Sequence, residues 1–148
     1  MDSLNYCIDQ KGLVVHAWDL MTNHAHLLID TTGEPLEDIV RDFKRHTSKA
    51  ITHAIENNIQ ESRDWMLYLF QRSGEMNGMN VNVQFWKNGY HPIHCWNKEL
   101  ILQTINYIHQ NPVRAEFVSE AHEWKYGSAT NYALGHGLVK LEMLDVYG

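Results

Sequence analysis

The order of apolar and polar positions predicts a mixed α and β chain. Leu4, Cys7 and Ile8 mark one face of a helix over Leu4 to Lys11, and Gly12 supplies its stop. Two short β-compatible runs follow, Leu13 to Leu20 and His24 to Ile29, parted only by Met21-Thr22-Asn23, so they read as antiparallel neighbours in a hairpin. Glu34-Pro35 opens a second helix that runs toward Asn57-Asn58, with Leu36, Ile39, Val40, Phe43, Ala50, Ile51, Ala54 and Ile55 along one stripe. Its opposite face carries Arg41, Lys44, Arg45 and Lys49. Trp65 to Gln71 continues as helix, Ser73 to Asn80 reads as a loop, and Val81 to Trp86 alternates as a strand would, ending at Asn88-Gly89. The clearest helix is Lys98 to Gln110, with Leu100, Ile101, Ile105 and Ile108 on one side. It is expected to end near Asn111, because Pro112 has no N–H and disfavours α geometry in the residue before it. Beyond it, Trp124, Tyr126 and Tyr132 are expected to pack the tail on the body, with Trp65, Trp96 and Trp124 in the core.

Composition narrows the class. A chain of 148 residues buries one sizeable core and is short for two ordinary domains, so a single domain over 1–148 is expected. The longest apolar run, Trp65 to Phe70, is six residues, and Met1-Asp2-Ser3 does not lead into a basic and then an apolar segment. Neither a membrane span nor a secretory signal is therefore expected. Two cysteines, Cys7 and Cys95, without C-x-x-C spacing indicate no disulfide framework or thiolate zinc site, and a reducing cytoplasmic compartment fits.

A net charge of −6 argues against a nucleic-acid binder, but the total hides an asymmetry. Residues 1–40 hold one basic and seven acidic side chains, residues 41–98 eight and five, and residues 99–148 three and six. An anionic partner is expected to meet the middle third. Ten histidines beside five tryptophans and seven tyrosines leave metal, acid–base and nucleic-acid chemistry open.

Two spacings carry that chemistry further. In His24-Ala25-His26 the residues i and i+2 of a strand point to one face, so two imidazoles can converge on a divalent ion. Ten histidines scattered at random would give roughly 0.7 such pairs, and partly buried, hydrogen-bonded histidines are the commoner outcome. Tyr107 and Asn111 lie one helical turn apart, so a phenol and an amide share a face, although a tyrosine near a helix end is usually a packing residue.

The residues around these spacings say more than the spacings do. His16-Ala17-Trp18-Asp19-Leu20-Met21-Thr22-Asn23-His24-Ala25-His26-Leu27-Leu28-Ile29 resembles the "yvvMpNHvHlli" block of the single-tyrosine HUH transposases, particularly the REP-associated tyrosine transposases. Tyr107-Ile108-His109-Gln110-Asn111-Pro112-Val113-Arg114-Ala115-Glu116-Phe117-Val118 resembles their "YIHxNPVRAglV" block. Between these, Arg41 to Ser48 is similar to the "mrdfKrfTS" helix, and Gln84-Phe85-Trp86 with Gly89-Tyr90-His91 to the "qfWqxgyh" strand and turn. The resemblance runs in order from about Ser3 to Tyr132.

It implies an α+β fold, a ferredoxin-like (RRM-like) antiparallel sheet with helices on one face. By the same resemblance His24 and His26 are the metal-binding pair, Asn111 completes the metal site for Mg²⁺ or Mn²⁺, and Tyr107 is the nucleophile. The implied reaction cuts single-stranded DNA beside a hairpin, forms a 5′-phosphotyrosine link and frees a 3′-hydroxyl. A free phenol has a pKa of about 10, so an ion that polarises the phosphate would help its attack. Arg41, Lys44, Arg45 and Lys49, with Arg114, are expected to grip phosphates, and Trp86 or Tyr90 to stack on an unpaired base. His91, His94 and His109 fit packing or surface roles better than catalytic ones.

Thr22 stands where the family has proline, and Ala25 where it has a larger aliphatic residue. The family's first strand has no counterpart before the first helix, so a sheet lacking that central strand is expected, with a second copy pairing along His24 to Ile29 in a homodimer. An active nickase and strand transferase is the leading reading. A non-catalytic or truncated relative that only binds hairpin DNA, and an unrelated metal hydrolase, are the alternatives.

Overall fold

The computed structural model describes residues 1–57, 64–76, 83–87 and 92–144. They group into two compact units, one of Met1–Ile39 with the chain from Ile93 onward, the other within Val40–Pro92.

In the first unit, α1 (Asp2–Lys11) buries Leu4 and Cys7 and ends at Gly12, which adopts φ 75°. Glycine is needed there twice over. The left-handed backbone disfavours a side chain, and a Cβ on Gly12 would stand 2.7 Å from the backbone nitrogen of Gly33. Strands β1 (Leu13–Leu20) and β2 (Ala25–Thr31) form the antiparallel hairpin that their alternation predicts.

The register slips between Val15 and Ala17, a bulge at His16 that leaves Val15 opposite Ile29 but brings Ala17 opposite Leu28 and Asp19 opposite His26. The other edge of β1 is also used. Leu20 N–H donates to Tyr126, Ser128 N–H to Trp18, and Glu142 N–H to Val15.

Helix α4 (Lys98–Arg114) is capped by Asn97, whose side chain accepts from Leu100 N–H at 2.8 Å. It lays Ile105 and Ile108 on Ala17, and Leu28, Ile101, Tyr132 and Leu144 pack around that cluster. A 3₁₀ turn (Ala121–Glu123) and α5 (Ala129–Leu134) complete this unit. The arrangement is α+β, a two-stranded antiparallel sheet with helices, consistent with a ferredoxin-like fold lacking a strand among the described residues.

In the second unit, α2 (Leu36–Glu56, beginning in the first) and α3 (Asp64–Glu75) carry the segment 83–87. Trp86 donates its indole N–H to Thr47 at 2.9 Å, and Phe85 meets Phe70 ring to ring at 5.3 Å.

Several expectations are corrected. Residues 83–86 form no strand, because their partners are aromatic side chains and the Phe70 carbonyl, which Gln84 N–H reaches at 2.9 Å. The helix α3 runs on to Glu75, past the expected start of a loop, and 77–82, Asn88 to His91 and therefore Tyr90 lie outside the described residues. Pro112 does not end α4 near Asn111. It lies inside the helix and is fully buried, and since only two helical residues follow, the one N–H it lacks is offset by the packing of its ring. Trp65 and Trp96 are not core, at 63% and 78% exposed; Trp18 fills the core instead. Trp124 is half-buried and donates to the Leu20 carbonyl.

Among the described residues no helix is long and apolar enough to cross a membrane. Neither Cys7 nor Cys95 forms a disulfide.

Candidate functional site

The hairpin brings His24 to the mouth of β2 and His26 into it, with their rings 5.0 Å apart. Because α4 crosses this face, its last turns present Tyr107 and Asn111 to them. The Tyr107 ring lies 5.3 Å from that of His26, edge to face, and Asn111 Nδ2 lies 3.1 Å from His24 Nε2. Tyr107 is 48% exposed, so its phenol opens to solvent while its ring is held.

Arg114 does part of that holding. Its guanidinium stands 4.4 Å from the Tyr107 ring centroid and donates to the Tyr107 carbonyl at 2.8 Å.

The electrostatics favour a neutral imidazole at His26. Burial lowers the pKa of His26, Asp19 opposes that shift, and His24 and Arg114 add to it. His24 Nδ1 lies 2.6 Å from Asn23 Oδ1, which accepts the ring proton and leaves Nε2 as the lone-pair nitrogen turned toward Asn111. A hydrogen bond of this kind on the far nitrogen orients ligating histidines generally.

Two imidazoles and an amide could ligate a divalent ion, and of the two ions expected Mn²⁺ suits imidazole better than Mg²⁺ does. Among the described residues no group of three or more His, Cys, Asp or Glu stands where it could hold a metal, so the amide of Asn111 is a needed member of such a set.

Two participants escaped the sequence reading. Asp19 is 1% exposed and accepts from Asn111 Nδ2 at 2.8 Å and from His26 N–H at 3.2 Å. Asn23 orients His24. The signal available was an acidic residue in an otherwise apolar strand, since a buried carboxylate needs partners.

His109, in contrast, serves the fold. It donates to Ser128 Oγ at 2.9 Å, while that hydroxyl accepts from Trp18 N–H and donates to the Trp18 carbonyl. Its pKa is lowered to about 4 by burial, so it works as a neutral donor.

The basic face is not part of this cluster. Arg41, Lys44, Arg45 and Lys49 lie on α2 in the second unit, Arg41 beside Asp42 and Lys44 reaching the Lys87 carbonyl at 3.2 Å. Trp86, expected as a stacking surface, is packed between Phe43 and Phe85. Arg114, expected to grip phosphate, lies over Tyr107.

A helix bearing a tyrosine and an amide, laid on a hairpin bearing two histidines, defines an α+β protein with a polar, half-open centre. Residues 2–73, just under half of the chain, match the model of the family described as IS200-like transposases, a likeness that supports the transposase family. The matched family is one of transposases, which suggests a DNA-cleaving enzyme in general. The match takes in His24, His26 and the basic face of α2, whereas Tyr107, Asn111 and Arg114 lie beyond it and are tied to the histidines by geometry. No curated protein and no solved structure matches the chain.

Proposed function

We propose that the protein nicks single-stranded DNA beside a hairpin and transfers the cut strand through a 5′-phosphotyrosine at Tyr107. The observation that carries this reading is the meeting of Tyr107 with His26, at 5.3 Å between rings, in the same cluster where Asn111 meets His24.

The phenol oxygen of Tyr107 attacks the scissile phosphorus in line with the departing 3′ oxygen. The phenol proton leaves to water at the exposed side of the ring, the P–O3′ bond breaks, and the 3′ oxygen takes a proton from water. The 5′ phosphate remains on Tyr107. Attack by a second strand's 3′-hydroxyl reverses the step, restores the phenol and completes transfer.

His24, His26 and Asn111 would hold a Mg²⁺ or Mn²⁺ ion, which supplies polarisation of the phosphate and neutralises developing charge. Arg114 keeps the phenol aimed by stacking on its ring. Arg41, Lys44, Arg45 and Lys49 supply the sequence-independent grip on the backbone, and Tyr90 is the aromatic residue proposed to stack on an unpaired base, since Trp86 is engaged by Phe43, Phe85 and Thr47. The partner we propose for assembly is a second copy, paired along β2, because among the described residues β2 pairs only with β1.

The test is incubation with single-stranded hairpin oligonucleotides and Mn²⁺, read as a band that survives denaturation. The expected result is a covalent adduct with the single strand that is absent with fully duplex DNA and after chelation. Specific hairpin binding without any adduct would leave a DNA-binding relative and refute the nickase.

A further inference from the structure

A buried carboxylate beside a cluster of neutral groups invites the question of what it orders. Asp19 is opposite His26 only because the bulge at His16 shifts the register, and it is 1% exposed. One of its oxygens accepts from His26 N–H at 3.2 Å and the other from Asn111 Nδ2 at 2.8 Å. A carboxylate has only acceptors to offer, so Asn111 must turn its NH₂ end, not its oxygen, toward Asp19.

The second amide hydrogen points to His24 Nε2 at 3.1 Å, which accepts because Nδ1–H is given to Asn23 Oδ1 at 2.6 Å. With both hydrogens committed, the amide oxygen is the end of Asn111 left for anything else. That polarity matters because an amide oxygen can ligate a cation and an amide nitrogen does not.

We propose that Asp19 is the positioning residue of the site: its buried carboxylate fixes which end of the Asn111 amide faces outward, and so makes Asn111 an oxygen donor. The inference rests on the reading of Asn111 as a ligand. Were His24 Nε2 given to an ion, Asn111 would lose the second of its two amide bonds and keep the first, and Asp19 alone would decide the polarity. A neighbour that only filled space would not select one end of an amide over the other.

Exchanging the two residues tests this. In Asp19→Asn, the new Oδ1 still accepts from His26 N–H, but the new NH₂ confronts the NH₂ of Asn111. The Asn111 amide then turns over, presents oxygen inward and nitrogen outward, and loses its ligand atom. In the double variant Asp19→Asn with Asn111→Asp, residue 19 accepts from His26 and donates to residue 111, so both hydrogen bonds return and an oxygen again faces out.

Calorimetric titration of the full chain with Mn²⁺ alone is expected to show an affinity 10- to 100-fold weaker in D19N, the range for losing an outer partner of a ligand. The double variant is expected to recover at least the wild-type affinity. A second readout needs no metal: the ¹⁵N shifts of the His24 ring are expected to move in D19N, since Nε2 loses its N–H donor.

Unchanged Mn²⁺ affinity and unchanged His24 shifts in D19N would overturn the proposal, as would a double variant that binds no better than D19N. Should D19N fail to fold, a folded double variant with wild-type affinity supports the proposal and one without it overturns it. A wild-type chain that binds no Mn²⁺ would sink the metal reading itself, and the His24 shifts would then decide the role of Asp19.

Discussion

The polar groups of the first unit and those of α2 in the second are built on opposite plans. Around α4 the residues proposed to carry the chemistry are held by short, directed bonds: Asp19 to Asn111, Asn111 to His24, His24 to Asn23, Arg114 to Tyr107. On α2 the basic side chains stand on one outer face, Arg45 and Lys49 exposed, and in the proposed function would act through charge summed along the helix. Bond cleavage needs atoms placed to a fraction of an ångström, whereas phosphate attraction tolerates motion and is screened by salt. The contrast teaches that the two regions should fail differently when altered.

The largest difference is expected from Tyr107→Phe. It deletes one oxygen from an exposed side chain, so covalent adduct should vanish while hairpin affinity, read by a gel shift, stays within about twofold. An adduct that persists would mean that another residue attacks.

Next comes the response to acid, which separates the bonded region from the charged one. Burial holds the pKa of His109 near 4, against about 6.5 in an unfolded chain. Above pH 6.5 neither state takes the proton. Between pH 6.5 and 4 only the unfolded chain does, so stability falls as pH drops through that window, by up to roughly 3 kcal/mol. Urea melts at pH 7, 5.5 and 4.5 should show this loss in the wild type and less of it in His109→Gln, where an amide can still donate to Ser128. Parallel curves would remove His109 as the cause.

Lys44→Ala with Arg45→Ala should leave adduct chemistry at saturating DNA intact and weaken binding instead. For a single strand each lost phosphate contact lowers the slope of log affinity against log salt by about 0.7, so a change near 1.4 is expected. An unchanged slope would move the DNA path off α2.

The smallest effect lies just past the site. Glu116 adopts φ 60°, a left-handed backbone that costs a side-chain-bearing residue about 1–2 kcal/mol, part of which glycine's extra freedom when unfolded cancels. Glu116→Gly is expected to raise stability by roughly 0.5–1 kcal/mol, with lost stability as the contrary result.

How much of this was legible in the chain follows from where local pattern governs. The hairpin and α1 could be read because alternation and Gly12 act within a few residues. Tyr107 and Asn111 could be placed on one face by helical spacing alone. The bulge at His16 could not, since it is set by what lies across the sheet, and without it the pairing of Asp19 with His26 is invisible. Pro112 misled because burial outweighed its local preference. Trp65 and Trp96 misled because aromatic content says nothing of which side of an element faces inward, and residues 83–86, the described part of the expected strand, pack against Phe70 and Thr47 instead.

The claim on which the account turns is that Tyr107 is the attacking group in a site made with His24, His26 and Asn111. Mass spectrometry of protein trapped with a single-stranded hairpin and Mn²⁺, then digested with nuclease and protease, tests it most directly. A nucleotide phosphate on the peptide at Tyr107 and a free 3′-hydroxyl on the released strand are expected; a modified residue elsewhere, or a released strand ending in 3′-phosphate, would contradict attack by Tyr107.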